Sequence, residues 1–426
     1  MRAPLPPRLL PVLYFGVAHV ALALACLAVA TDPRGVSGFF YHARMLGIVH
    51  LVTLGWITAS ILGALYIVGP IALRLSIPAG PLDYTAFAFV LIGVIGMVAH
   101  FWLQEYGGMA WSAILVGTGI LMVGAHVAWR LRGATLPRAI SAHIVLAFVN
   151  VGGAATAGVL IGFDKVYHFL PGFVLANVFA HAHLAAIGWA SMMVVGMAYR
   201  LLPMVLPSAM PKGPTLWISA LLLEAGAAGL FVTLLLQSAL AWVCALTVIA
   251  GFGAFGAHVV YMLRQPRPRP PGLRRPDPAV LHAGASFTCL AIACGLGLWL
   301  TLAAPSPNTL RVAMAYGVFG LVGFLAQMVV GMEGRLLPIF AWYWAFANTG
   351  DKGPVASQHE MSWRDGQDLV FLLWLFGVPS LAGGLAFDAV PFVSAGAWGL
   401  LLATLVDAVN VTRILRHAFV TRRAGV

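Results

Sequence analysis

The sequence predicts an all-α, polytopic membrane protein with about twelve transmembrane helices. Three observations carry that prediction: composition, the spacing of apolar segments, and a helical pattern written more than once. Of the 426 residues 61% are hydrophobic and 9% charged, and the mean hydropathy is +0.94. A soluble fold cannot hide so much apolar surface, whereas lipid accepts it. Twelve apolar stretches of spanning length lie at 10–30, 45–70, 84–103, 109–129, 141–162, 174–200, 216–235, 239–263, 281–303, 312–333, 367–387 and 390–411. The first is long for a cleaved leader and begins a regular series. The chain reads as one integral membrane domain over residues 1–426, with 339–366 as a cytoplasmic loop opening on the aromatic run AWYWAF.

Charge placement sets the expected orientation. Placing the N-terminus inside leaves only Arg34, Arg44, Lys165 and Arg311 of the 24 basic residues on the outer side. That bias is the positive-inside pattern, so both termini are expected in the cytoplasm and the protein in a bacterial inner membrane. The net charge of +11 is then mostly a topology signal. The basic loop RQPRPRPPGLRR at 264–275 is placed to meet anionic lipid headgroups, and no nucleic-acid partner is expected. Cys26, Cys244, Cys289 and Cys294 all fall within apolar segments, form no CxxC pair and read as small packing residues. No nucleotide-binding or zinc-hydrolase pattern is present.

The repeated pattern occupies the second, sixth and tenth segments. His50, Leu51, Gly55, Trp56, Gly63, Tyr66 and Pro70 recur at identical spacing as His183, Leu184, Gly188, Trp189, Gly196, Tyr199 and Pro203. A degenerate copy at 318–338 keeps Gly323, Gly331 and Pro338, with Val318 in the histidine position, Phe324 for the tryptophan and Gly334 for the tyrosine. Repeats separated by four segments each run the same way through the membrane and allow a threefold pseudo-symmetric bundle of four-helix units. The glycines allow close approach of helices or of a flat macrocycle. Tyr66 and Tyr199, near the inner helix ends, read as interfacial anchors.

Histidines carry the candidate chemistry. His50 and His183 are expected in the outer half of the bilayer, where a neutral imidazole needs its nitrogens satisfied. Metal or haem ligation through one nitrogen, with a neighbour holding the other, meets that need. His181 and His183 lie ~200° apart around a helix and so address different partners. His42 and His100, with Glu105 and His168, gather on the outer side as further metal, propionate or proton ligands. His126, His143, His258 and His282 lie towards the inner side, where roles at the cytoplasmic interface are expected, and His19 has no assignment. Glu224 and Glu333 are candidates for proton handling, with Arg335 as the alternative partner of Glu333.

RMLGIVHLVTLGWITASILGALY and HAHLAAIGW resemble motifs of the haem–copper oxidase and nitric oxide reductase catalytic subunits, closest to the cbb3 type. The resemblance implies a twelve-helix threefold scaffold, His50 as an axial ligand of a b-type haem, and one of His181 or His183 as a second ligand. The departures are specific. The seventh segment, TLWISALLLEAGAAGLFVTLL, lacks the histidine pair and tyrosine of an oxygen-reducing copper centre, and the tenth has no histidine. NnrS-like proteins, also twelve-span and associated with haem, copper and nitric oxide, offer a second likeness. The expectation is therefore a haem b protein, with copper as a further cofactor, in electron transfer or nitric oxide response. It would meet a periplasmic electron-transfer protein or respiratory subunit and a small gas or metal ligand. A copper or haem transporter, an assembly factor, and a cofactor-free structural subunit remain the alternatives.

Overall fold

The computed structural model describes residues 5–37, 39–269, 273, 276–349 and 357–419. Part of the 264–275 basic loop, along with Arg2, Lys352, Arg422 and Arg423, lies outside the described residues. Twelve helices are long and apolar enough to cross a membrane. They are α1 (Leu10–Thr31), α2 (Ala43–Leu73), α3 (Pro81–Leu103), α4 (Tyr106–Leu131), α5 (Arg138–Tyr167) and α6 (Val174–Val205). The second half comprises α7 (Leu216–Leu235), α8 (Ala241–Arg264), α9 (Pro278–Leu302), α10 (Pro307–Ala347), α11 (Arg364–Ala386) and α12 (Val390–Phe419). The described residues contain no β-strand beyond the isolated bridge Ser208–Pro266. The expected loop at 339–366 starts as helix, because the helix holding Pro338 continues to Thr349.

Arg8 lies over the rings of Phe419 and Trp344. The start of α1 and the ends of α10 and α12 therefore share one side of the bundle, called here the terminal face.

The repeated motif is a structural repeat. Each copy contains a π-helical stretch: Leu51–Thr58 in α2, Leu184–Ser191 in α6 and Val318–Ala326 in α10. Such i→i+5 segments are rare and concentrate at functional sites. Their last residues, Thr58, Ser191 and Ala326, all stand eight positions beyond His50, His183 and Val318 respectively.

The motif glycines show why the repeat exists. A Cβ built on Gly55 would meet the Ala21 Cβ at 2.4 Å, one on Gly188 the Asn150 Cβ at 2.9 Å, and one on Gly323 the Cys289 Cβ at 2.8 Å. Gly63, Gly196 and Gly331 take the Cβ atoms of Tyr14, His143 and His282 at 2.9, 2.6 and 2.8 Å. On the receiving helices α1, α5 and α9, the two contacted residues are seven positions apart each time: Tyr14 and Ala21, His143 and Asn150, His282 and Cys289. Seven residues are two helical turns, so one seam is built three times.

Tryptophan links the three units. Trp56 Nε1 donates to the Ala326 carbonyl at 3.2 Å, and Trp189 Nε1 donates to Thr58 Oγ1 at 3.0 Å. Each acceptor is the final π-helical residue of another unit. The third link is missing because Phe324 has no N–H; Ser191 instead donates to Ala186 of its own helix at 2.8 Å. Interhelical hydrogen bonds in lipid contribute about 0.6–2 kcal/mol each, so both tryptophans add register to what the glycine seams hold by contact.

Overpacking such a seam costs about 1–3 kcal/mol. Gly55→Ala should lower the thermal stability of the detergent-solubilised protein by that amount. Gly16→Ala in α1, where a Cβ meets nothing within 4 Å, should leave it unchanged. Fluorescence-detected gel filtration after heating measures both.

Candidate functional site

His50 is the last residue before the π-helical stretch of α2, about 10 Å along the helix from Ala43 and hence in the half of the bundle away from the terminal face. Its Nδ1 donates to the Leu46 carbonyl at 2.7 Å. The Phe101 ring lies 5.1 Å away, centroid to centroid. His181 Nδ1 donates to the Ala154 carbonyl of α5 at 2.8 Å, and Gly158 leaves room beside its ring. Both imidazoles are partly exposed residues deep among helices, and they are close enough to interact electrostatically. A carbonyl can only accept, so Nδ1 carries the hydrogen in each ring and Nε2 offers its lone pair. Among the described residues nothing bonds either Nε2. Metal-ligating histidines are oriented in this way, with one nitrogen tied to a carbonyl and the other presented.

His183 differs. Its Nδ1 donates to the Phe179 carbonyl at 2.8 Å, but its Nε2 accepts from Tyr316 of α10 at 3.0 Å, with the two rings stacked. The ~200° separation thus sends His181 towards α5 and His183 towards α10. Tyr316 was not singled out in the sequence because it lies two residues before the degenerate motif begins.

The remaining outer histidines do not join His50. His100 Nδ1 donates to the Gly96 carbonyl at 2.6 Å, and its ring lies against Gly108 and Ser112, facing α4. His42 caps the start of α2 by accepting from the Met45 N–H at 3.4 Å, leaving a buried Nε2 with no hydrogen-bond partner. Burial, reinforced by the Arg44 guanidinium, holds His42 below the ordinary imidazole range, with Asp32 opposing. His42 is therefore neutral at pH 7, and because its Nδ1 accepts, the unpartnered Nε2 carries the hydrogen. His168 is exposed at the left-handed residue ending α5.

Towards the terminal face, two histidine networks repeat one another. Tyr66 donates to Asp83 at 2.7 Å, His126 donates to the same carboxylate at 2.7 Å, and Arg130 donates to His126 at 3.2 Å. In the second unit Tyr199 meets Ser219 at 2.8 Å and His258 at 2.9 Å, and Ser219 meets His143 at 3.2 Å. The expected anchoring role of both tyrosines is corrected here: they are fully buried and hold polar side chains within the bundle. The interfacial reading also fails for His143 and His282, which are buried on α5 and α9.

The acidic candidates separate as well. Glu224 accepts from Asn150 at 2.7 Å, and the same amide donates to the Gly188 carbonyl at 3.1 Å. Glu333 does not meet Arg335, which pairs with Asp277 at the start of α9. Glu333 turns inward towards His19 and Asp407. Asp407 was missed, although an acid within the apolar segment LLATLVDAVNV is itself the signal. A cavity of about 180 Å³ opens at the terminal face beside Asp277, Arg335, His359 and Gln367, away from the histidines of the repeat.

No protein-family model matches the chain, and no curated protein matches it significantly.

Removing the Tyr66 hydroxyl takes a donor from a carboxylate, while removing that of Tyr199 affects neutral partners. Hydrogen bonds to charged groups contribute about 1.5–3 kcal/mol and neutral ones about 0.5–1.5. Tyr66→Phe should therefore destabilise more than Tyr199→Phe in thermal unfolding of the purified protein.

Proposed function

We propose that this is a b-type haem protein of the membrane that transfers electrons or responds to nitric oxide, with His50 and His181 as the residues that hold iron. The observation that carries the reading is the matched preparation of two imidazoles on α2 and α6. Each has Nδ1 tied to a carbonyl, Nε2 unbonded, and partial exposure within the bundle. The donor set fits the group: neutral imidazole is an ordinary axial ligand, and the neighbouring aromatic and glycine positions suit a flat apolar macrocycle.

Haem iron held there by both imidazoles would supply one-electron chemistry, and release of one imidazole would open a position for a small gas. The chain's own residues set the surroundings. The Leu46 and Ala154 carbonyls fix both rings and raise their basicity. Phe101 covers one side of His50. Tyr316 keeps the His183 lone pair occupied, which favours His181 as the second ligand. His42 would hold copper at Nε2 only after giving up the hydrogen there and its cap of the Met45 N–H. The lipid bilayer is the solvent, and a soluble redox protein would approach on the face opposite the termini.

The test is the oxidised and dithionite-reduced absorption spectrum of the purified full chain, with iron and copper content on the same sample. The expected result is a reduced α-band near ~560 nm that is lost in His50→Ala. A chain without iron, even from cells supplied with haem, contradicts the reading and favours a metal-handling or structural role.

A further inference from the structure

His19, Glu333 and Asp407 come together from α1, α10 and α12 with no motif to announce them. One ligand atom from each lies within 4.8 Å of the others, and the three residues are 7%, 3% and 7% exposed. His19 is about 14 Å along α1 from Leu10, deep in the hydrocarbon layer. Its position is informative within the repeat. Phe148 stands five residues beyond His143, as His19 stands five beyond Tyr14, and Phe148 packs on Trp189 with ring centroids 5.1 Å apart. His19 packs on Trp56 at the same separation. The first unit thus has an imidazole in a slot that the second fills with an aromatic hydrocarbon, and two carboxylates face it.

Internal bonding does not satisfy the cluster. His19 Nδ1 donates to the Phe15 carbonyl at 2.9 Å, so Nε2 faces the acids and offers them a bare lone pair whenever the ring is neutral. Nε2 lies 3.4 Å from Asp407 Oδ2 and 3.7 Å from Glu333 Oε2. Both separations exceed the usual ~2.7–3.2 Å of an N–H···O hydrogen bond. Neither Glu333 oxygen has a hydrogen-bond partner among the described residues. Isolated negative charge in such a place costs several kcal/mol per ion, so a positive species belongs between these groups.

The geometry points to a divalent metal ion. We propose that His19 Nε2, a Glu333 oxygen and an Asp407 oxygen bind one divalent transition-metal cation. Bonds of ~2.0–2.2 Å at roughly tetrahedral angles separate neighbouring ligand atoms by ~3.4 Å, matching the His19–carboxylate spacings. Charge also balances: a neutral imidazole, two carboxylates and one divalent cation sum to zero, a balance that protons alone reach only when two are taken up. The Phe15 carbonyl orients the ligand ring as second partners of metal-binding histidines do. One nitrogen and two oxygens suit zinc or manganese better than a thiolate-seeking ion. Trp56, on which His19 packs, lies six residues, ~9 Å of helix, beyond His50, so this site sits beside α2 at a different depth from the proposed iron site and uses different ligands.

Zinc is the probe. The full chain in detergent is stripped with a chelator, re-equilibrated with Zn²⁺ by dialysis, and assayed for bound metal and melting temperature. The expected result is one tightly held Zn²⁺ that raises the melting temperature, with at least a tenfold weaker affinity and no thermal shift in Asp407→Asn and Glu333→Gln. His50→Ala, which removes the iron ligand, should keep this zinc. X-ray absorption on the wild-type zinc form needs no variant and should show nitrogen and oxygen neighbours without sulfur. No zinc or manganese bound by the wild type, the same zinc bound by the Asp407→Asn protein, or a sulfur-containing shell each overturns the proposal.

Discussion

The structure depends on close contact between the glycine faces of α2, α6 and α10 and the helices α1, α5 and α9. Lipid provides no hydrophobic force to press helices together, so association rests on van der Waals contact and on hydrogen bonds that lipid cannot replace. Six glycines at two positions per copy supply the contact, and Trp56 and Trp189 supply the bonds between units. Once these seams fix the distance between helices, whatever side chain lies beside them is held in a dry and narrow place. Polar residues there acquire partners or remain exposed to a high desolvation cost.

The three units fill equivalent slots with different chemistry. At the first glycine the partner is Ala21, Asn150 or Cys289; at the second it is Tyr14, His143 or His282. The motif position that holds His50 and His183 becomes Val318 in the third unit. The tyrosine slot gives a carboxylate–imidazole network in the first unit, a hydroxyl–imidazole network in the second and a glycine in the third. The repeat is therefore conserved as a means of packing, while each unit carries its own polar groups. The proposed iron ligands come from two units, and the His19 cluster joins the first unit to α10 and α12 of the third. Both lie where units meet rather than within any one of them.

Much of the architecture was legible in the sequence because lipid imposes a simple rule: about twenty apolar residues for each crossing. All twelve expected segments coincide with helices, differing mainly where α5, α6, α10 and α12 extend past the apolar run. The repeat was equally legible, since glycine spacing reports helix contact directly. What could not be read was which polar residues face one another across helices distant in sequence. Asp407 is 388 residues from the histidine it meets, and no periodicity in α1 or α12 encodes that meeting. Arg335 is only two residues from Glu333 in sequence yet pairs with Asp277, because helical residues two apart point in different directions. The division of His181 and His183 between α5 and α10 followed from their angular separation, but Tyr316 as the partner of His183 required the fold.

The central functional claim is that α2 and α6 present a matched pair of imidazoles for one iron. Electron paramagnetic resonance of the oxidised, haem-supplied protein tests it most directly, because it distinguishes iron with two imidazole ligands from iron with one. The account predicts a low-spin ferric signal that His181→Ala converts to high spin and that His183→Ala leaves in place. A low-spin signal that survives His181→Ala and disappears with His183→Ala would contradict the assignment, and the absence of any haem signal would contradict the function.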